Sequence, residues 1–199
     1  MSKAAEKKDL ILRGAKKVFI RKGFSSVTMK DIIEECGISR GGIYLYFSNV
    51  EEVFTEVVKK HNEEKIRDIQ ANIEKNQDFN RSVDDFFAEQ KEKLLNMDKS
   101  LFVAMMEFCF SHKNSSNRDF YTEQFHNTKV IIMEMLKFGQ KKQAVAATDI
   151  DRLADSIMFL IEGLRSLSVS SRISEKLVES QLRVCREMID SDLFQEGKT

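Results

Sequence analysis

The stretch Gly23-Phe24-Ser25-Ser26-Val27-Thr28-Met29-Lys30-Asp31-Ile32-Ile33-Glu34-Glu35-Cys36-Gly37-Ile38-Ser39-Arg40-Gly41-Gly42-Ile43-Tyr44-Leu45-Tyr46-Phe47 carries two helix starts in close succession. Thr28 stands where its hydroxyl can accept from the amide of Asp31 while the Asp31 carboxylate reaches back, a capping box. Met29, Ile32, Ile33 and Cys36 then recur at the spacing of one helix face, and Gly37 supplies the left-handed residue that ends such a helix. Ile38 is placed to plug a core, and Ser39 to cap a third, short helix carrying Arg40 to Phe47. Two helices joined by a glycine-containing turn of about three or four residues, laid on a preceding helix, predict a helix-turn-helix that reads DNA.

Working outward, the preceding helix reads from about Ala5 to Lys22, with Ile11, Ala15, Val18 and Phe19 on one face, Lys and Arg on the other, and Gly23 as its stop. On the far side Asn49 and Glu52 form a second capping pair that opens a long helix reaching to about Ile73. Its apolar residues Val50, Val53, Phe54, Val57 and Val58 give way to the mostly polar Lys59 to Lys65, so it bridges the head and the body of the chain. From about residue 80 come five more amphipathic helices, parted by the polar breaks Lys75 to Asn80, Asn96 to Lys99 and Lys113 to Arg118. Asp149 to Ser171 shows Leu153, Ile157, Leu160, Leu164 and Leu167, and Ser174 to Leu193 shows Val178, Leu182, Cys185 and Ile189, each a continuous apolar edge. Proline is absent and 42% of residues are hydrophobic, so long uninterrupted helices are allowed and a core can be filled. The expectation is an all-α chain of about nine helices, with a three-helix domain at 1–48 and a helical body at 49–199, of which 49–73 is the bridging helix.

The formal net charge of zero hides an asymmetry. Residues 1–49 hold ten Lys or Arg against five acids, a net of +5, which leaves the rest at −5. A basic head on an acidic body suits a chain that meets phosphates at one end only. The longest nearly apolar run, Leu101 to Phe110, is interrupted by Glu107 and is well short of the ~20 residues a membrane span needs, so no membrane is expected. The N-terminus lacks the apolar stretch of a secretory signal, and a cytoplasmic location is the expectation. Cys36, Cys109 and Cys185 fit neither a zinc spacing nor a disulfide framework and read as small buried hydrophobes. His61, His112 and His126 are too scattered for a metal site, and no nucleophile elbow or phosphate loop is present, so neither enzyme, metal nor cofactor is expected.

The run from Gly23 through Ile33, with Gly37-Ile38-Ser39-Arg40-Gly41-Gly42-Ile43-Tyr44-Leu45-Tyr46-Phe47, resembles the DNA-binding head of the TetR family of regulators. The glycine followed by an aromatic, the threonine opening helix two, the Gly-aliphatic-Ser turn and the Tyr-x-Tyr-Phe ending fall in family order over about a quarter of the chain. That resemblance implies an all-α homodimer in which 49–199 is a ligand-binding and dimerisation domain, and a repressor that a small effector releases from its operator. Gly42 stands where the family commonly has a small hydroxylic residue or Ala, and Leu45 where it often has His, Tyr or Arg, so base readout is expected to be sparse and DNA shape to carry more of the specificity. Val50 replaces a frequent family lysine at the start of helix four, which leaves Asn49 and the helix-four amides to hold phosphate.

The predicted DNA-contacting set is therefore Thr28, Lys30, Ser39, Arg40, Gly41, Gly42, Tyr44, Tyr46 and Asn49. Arg40 opens the helix whose first residues reach base edges, where a guanidinium pairs with two guanine acceptors or with phosphate. Tyr44 and Tyr46, two apart, cannot share a helix face, so one of them faces outward while Ile43 and Phe47 serve the core. In the body, Phe86, Phe87, Phe102, Met105, Met106, Cys109, Phe125, Met158 and Phe159 are candidates to line a pocket for an apolar or amphipathic effector, against the plainer reading of ordinary core. Glu107 either meets a polar ligand group or faces solvent. The last two helices, within residues 149–193, offer the apolar edges for a homodimer, which calls for a palindromic operator. A helical protein-interaction module without DNA function stays open as the rival, distinguished by salt-independent binding to random duplex.

Overall fold

The computed structural model describes residues 2–75, 78–111, 115–146 and 149–191. Among them it holds nine α-helices and no strand: α1 (Lys3–Lys22), α2 (Met29–Cys36), α3 (Arg40–Tyr44), α4 (Val50–Lys75), α5 (Phe79–Leu95), α6 (Leu101–Ser111), α7 (Ser115–Lys141), α8 (Ile150–Ser170) and α9 (Glu175–Asp190), with a 3-10 turn at Met97–Lys99. The all-α expectation holds. Its polar breaks are narrower than expected, because Lys75 lies in α4, Phe79 and Asn80 in α5, and Ser115 to Arg118 in α7. Polar residues without glycine or proline are tolerated in an exposed terminal turn and do not break a helix. Residues 76–77 and 113–114 of those breaks, and 192–193 of the expected last helix, lie outside the described residues.

The chain folds into two compact units, residues 1–64 with 98–121, and 65–97 with 122–199. In the first unit, α1 starts on Ser2, whose hydroxyl accepts from the Ala5 amide at 3.2 Å, and ends on Gly23 at φ 74°. The second helix ends on Gly37 at φ 61° and ψ 34°, a left-handed conformation that costs a Cβ-bearing residue energy. Regular α3 stops at Tyr44, three residues before Phe47, yet the turn stays closed because the Phe47 amide donates to Ile43 O at 3.0 Å. Ile11, Ala15, Val18 and Phe19 from α1, Ile32, Ile43, Phe47, and Val53, Phe54, Val57 and Val58 from α4 form the buried core. Leu101, Ala104 and Phe108 of α6 complete it, with α6 packed on α1. Phe54 stands amid rings, 4.8 Å from Phe19 and 5.0 Å from both Phe24 and Phe108. Each buried Phe contributes ~1.5–3 kcal/mol by leaving water, and each edge-on ring pair ~0.5–1.5 kcal/mol more.

In the second unit α5, α8 and α9 pack together. Asp78 caps α5 by accepting from the Asn80 amide at 3.0 Å, and Ser174 caps α9 by accepting from the Leu177 amide at 3.2 Å. Leu153, Ile157, Ile161 and Leu164 of α8 bury one stripe, and Val178, Leu182, Cys185 and Ile189 of α9 bury another. Gly139 of α7 lets the Phe79 ring and Val145 approach the helix backbone, where any Cβ would collide with both.

Candidate nucleic-acid interface

The α2–α3 element is fastened by reciprocal caps. Thr28 Oγ1 accepts from the Asp31 amide at 3.3 Å, while Asp31 Oδ2 accepts from the Thr28 amide at 2.9 Å and from its hydroxyl at 2.8 Å. Lys22 donates to Asp31 Oδ1 at 2.7 Å, and this ammonium together with the Thr28 bonds lowers the Asp31 pKa from 3.8 to about 2. Ser39 Oγ accepts from the Gly42 amide at 3.1 Å and so caps α3. Ile43 and Phe47 face inward and are buried, which fixes the rotation of α3 and turns its other face out.

On that outer face stand Arg40 and Gly41, with Tyr44 45% and Leu45 83% exposed. The Arg40 guanidinium lies over the Tyr44 ring, 5.8 Å from its centroid, an arrangement that holds a flexible cation in one place. A Cβ at Gly41 would meet nothing within 4 Å, and one at Gly42 only Ser39 Oγ at 3.0 Å, so the backbone here is open to close approach. Tyr46 is half-buried where Tyr44 is exposed, as their spacing requires. Lys30 projects from α2, exposed, with its ammonium 3.8 Å from the Glu34 carboxylate. Asn49 caps α4, accepting from the Glu52 amide at 2.8 Å, while Glu52 accepts from Ser48 N–H at 2.7 Å.

Thus eight of the nine residues predicted to meet DNA fall on α2, α3 or the caps of α2 to α4, Tyr46 follows in the turn after α3, and all but Tyr46 and Gly42 are exposed. Several cations of the head are paired, and Lys8 is paired with an acid outside residues 1–49. Lys8 pairs with Glu56, Arg13 with Asp9, Arg21 with Glu35 and Lys22 with Asp31. Counting charges along the sequence could not reveal that. Nor could it reveal the place of Glu107: its Oε2 accepts from the amides of Phe24 at 2.8 Å and Ser25 at 2.9 Å, where a ligand contact or solvent was expected.

Of the nine pocket candidates, Phe102, Met105, Met106 and Cys109 belong to the first unit. In the second unit, Phe86, Phe87 and Met158 are buried, Phe125 is half-buried, and Phe159 is 62% exposed with its ring 5.2 Å from Phe125. A cavity of about 160 Å³ in the second unit is lined by Ile69, Ile73, Ser82, Asp85, Phe86, Glu89 and Met135, so only Phe86 is shared with the expected set. The signal that was missed is the interleaving on α5 of acids and Phe86 four or fewer residues apart.

All three cysteines are free, and burial raises each thiol above its ordinary pKa, Cys185 to about 12. His61 contacts Lys16 through Nδ1 at 2.9 Å, His126 is exposed, and His112 lies outside the described residues. Among the described residues no group of three His, Cys, Asp or Glu is placed to hold a metal, and no helix is long and apolar enough to cross a membrane.

Residues 11–57 match the family model of bacterial regulatory proteins, tetR family. An uncharacterized HTH-type transcriptional regulator, YfiR of Bacillus subtilis (strain 168), is 37% identical over 114 residues, 57% of this chain and 55% of that protein. The chain thus spans about half the length of this relative, which carries the name of a regulator and not of an enzyme. Among solved structures, a TetR transcription regulator from Haloarcula marismortui ATCC 43049 superposes with TM-score 0.74 at 16% identity, covering 94% of this chain and 97% of that one. A putative transcriptional regulator from Saccharomonospora viridis in complex with choline gives 0.69 at 20% identity, covering 94% and 97%. At such identities the structures share the fold.

Proposed function

We propose, on the match of residues 11–57 to the tetR family model, that the chain is a regulator of that family: a ligand-responsive repressor that binds a palindromic operator as a homodimer. The observation that carries the reading is the outer face of α3, where Arg40, Tyr44 and Leu45 project beside two glycines from a helix capped by Ser39 and pinned by Ile43 and Phe47. The Arg40 fork suits guanine or phosphate, Leu45 suits a thymine methyl, and the amides at the start of α2 and α4 suit phosphate.

Dimerisation is supported by α8 and α9, where Phe159, Leu167, Val169 and Leu177 are all more than a third exposed and Gly163 leaves an open strip between Phe159 and Leu167. An amphipathic cation is the effector that best suits the cavity beside Asp85, Phe86 and Glu89, since its walls pair carboxylates with apolar groups. The choline complex of the Saccharomonospora viridis regulator is a precedent for such a cation on this fold. At about 160 Å³ the cavity is below the ~300–1,000 Å³ of ordinary ligand sites, so binding must widen it, and that widening is what favours the released arrangement. Selecting fragments of genomic DNA with the full chain tests the reading: a recovered inverted repeat, bound by two chains and released by a quaternary amine, is the expected result. Recovery of no common sequence would refute it.

A further inference from the structure

Glu107 is the one charged residue in the run Leu101 to Phe110, and the rest of α6 explains the fold without it. Leu101, Ala104 and Phe108 bury one stripe against the first unit's core, and Phe108 sits edge-on to Phe24 at 4.8 Å. Beside that stripe the Glu107 carboxylate takes two consecutive backbone amides, Phe24 N–H at 2.8 Å and Ser25 N–H at 2.9 Å, on the single oxygen Oε2. Consecutive amides converging on one anion make a concave binding site for negative charge, and here a side chain of the same unit fills it. Gly23 makes room: at φ 74° it turns the chain out of α1, and a Cβ there would collide with both carboxylate oxygens. The turn so held, Gly23 to Val27, connects α1 to the Thr28 cap of α2, and α2 in turn carries α3.

We propose that Glu107 is a positioning residue for DNA binding: its carboxylate clamps the α1–α2 turn and thereby sets where α2 and α3 present their contacts. The DNA-binding head is completed by a residue 50 positions beyond the matched family segment, which ends at residue 57. The positioning role rests on the proposed DNA binding, but the clamp itself can be tested without DNA.

The full chain is compared with Glu107→Ala, which removes both acceptors, and Glu107→Gln, whose amide oxygen can take the same two bonds without charge. Amide hydrogen exchange at Phe24 and Ser25 is expected to accelerate by about tenfold or more in Glu107→Ala, the ratio that ~1.4 kcal/mol of net hydrogen bonding gives, while amides inside α1 keep their rates. Affinity for the selected operator falls by about tenfold in the same variant, with affinity for random duplex falling less, because misplaced α3 contacts matter only where bases are read. Glu107→Gln recovers most of both losses, since neutral bonds are weaker than charge-assisted ones but have the same geometry. Unprotected Phe24 and Ser25 amides in the unsubstituted chain, or equal losses in the Ala and Gln variants, would overturn the clamp. Accelerated exchange with unchanged operator affinity would overturn its role in positioning. If Glu107→Ala does not fold, Glu107→Asp, one methylene too short to reach, takes its place. A chain that selects no DNA sequence at all breaks the regulatory reading, and the exchange arm still decides the clamp.

Discussion

The two units solve different problems with the same kind of helix. In the first, Phe19, Phe24, Phe54 and Phe108 meet ring to ring, and caps at Thr28, Ser39 and Asn49 fix the starts of α2, α3 and α4, so that the outer face of α3 is held in place though exposed. In the second, aliphatic stripes of α8 and α9 pack together, while a cavity remains beside Phe86 and Met135 and apolar side chains of α8 stay in water. A solid core gives α3 a fixed platform. A core with a gap is where small shifts meet less resistance.

The sharpest way to break that contrast is a pair of truncations. Phe54→Ala removes a ring set among four others and is expected to cost about 3–5 kcal/mol in denaturant unfolding. Phe86→Ala, beside a gap that already exists, should cost clearly less. Equal losses would mean that the two cores are packed alike.

Next in size, Arg40→Ala is expected to weaken operator binding by about 1–3 kcal/mol and leave the melting temperature unchanged, since Arg40 is exposed and serves no core. A calorimetric titration with and without the substitution would show it. A parallel loss of thermal stability would make Arg40 a structural residue.

Capping comes third. Thr28→Ala should cost about 1 kcal/mol of stability. The same cap gives the head a pH dependence: Asp31 titrates near 2 in the folded chain against 3.8 for the free group, so its contribution is complete above about pH 4 and is lost as the pH falls toward 2. Asp31→Asn should flatten that acid limb in a melting series, and an unaltered limb would show that another carboxylate governs it.

The smallest effect is at Val50. Val50→Lys adds a cation at the start of α4 and should tighten binding to every duplex alike, steepening the salt dependence by about one ion. A gain confined to one sequence would mean that this helix start reads bases.

Legibility in the sequence divides the same way. The head announces itself because its signals are local and specific: Thr28 with Asp31, Gly37, and Ser39 each demand one conformation and received it. Amphipathic periodicity in the second unit correctly indicates helices but says nothing of which stripes meet, so Phe102, Met105 and Met106 could be grouped with Phe86 although they lie in the first unit. Charge counting was blind to pairing across the fold, as between Lys8 and Glu56. Glu107 was opaque for the deepest reason. Its partners are backbone amides 82 and 83 residues away, and amides carry no sequence signature.

The most direct measurement is the affinity of the full chain for its selected operator and for random duplex, followed as the salt concentration rises. If α3 reads DNA, both affinities fall with salt, the operator stays at least ~10³-fold the tighter over the whole range, and Arg40→Ala closes part of that gap. Equal affinities for the two duplexes, or binding indifferent to salt, would contradict a DNA-reading head.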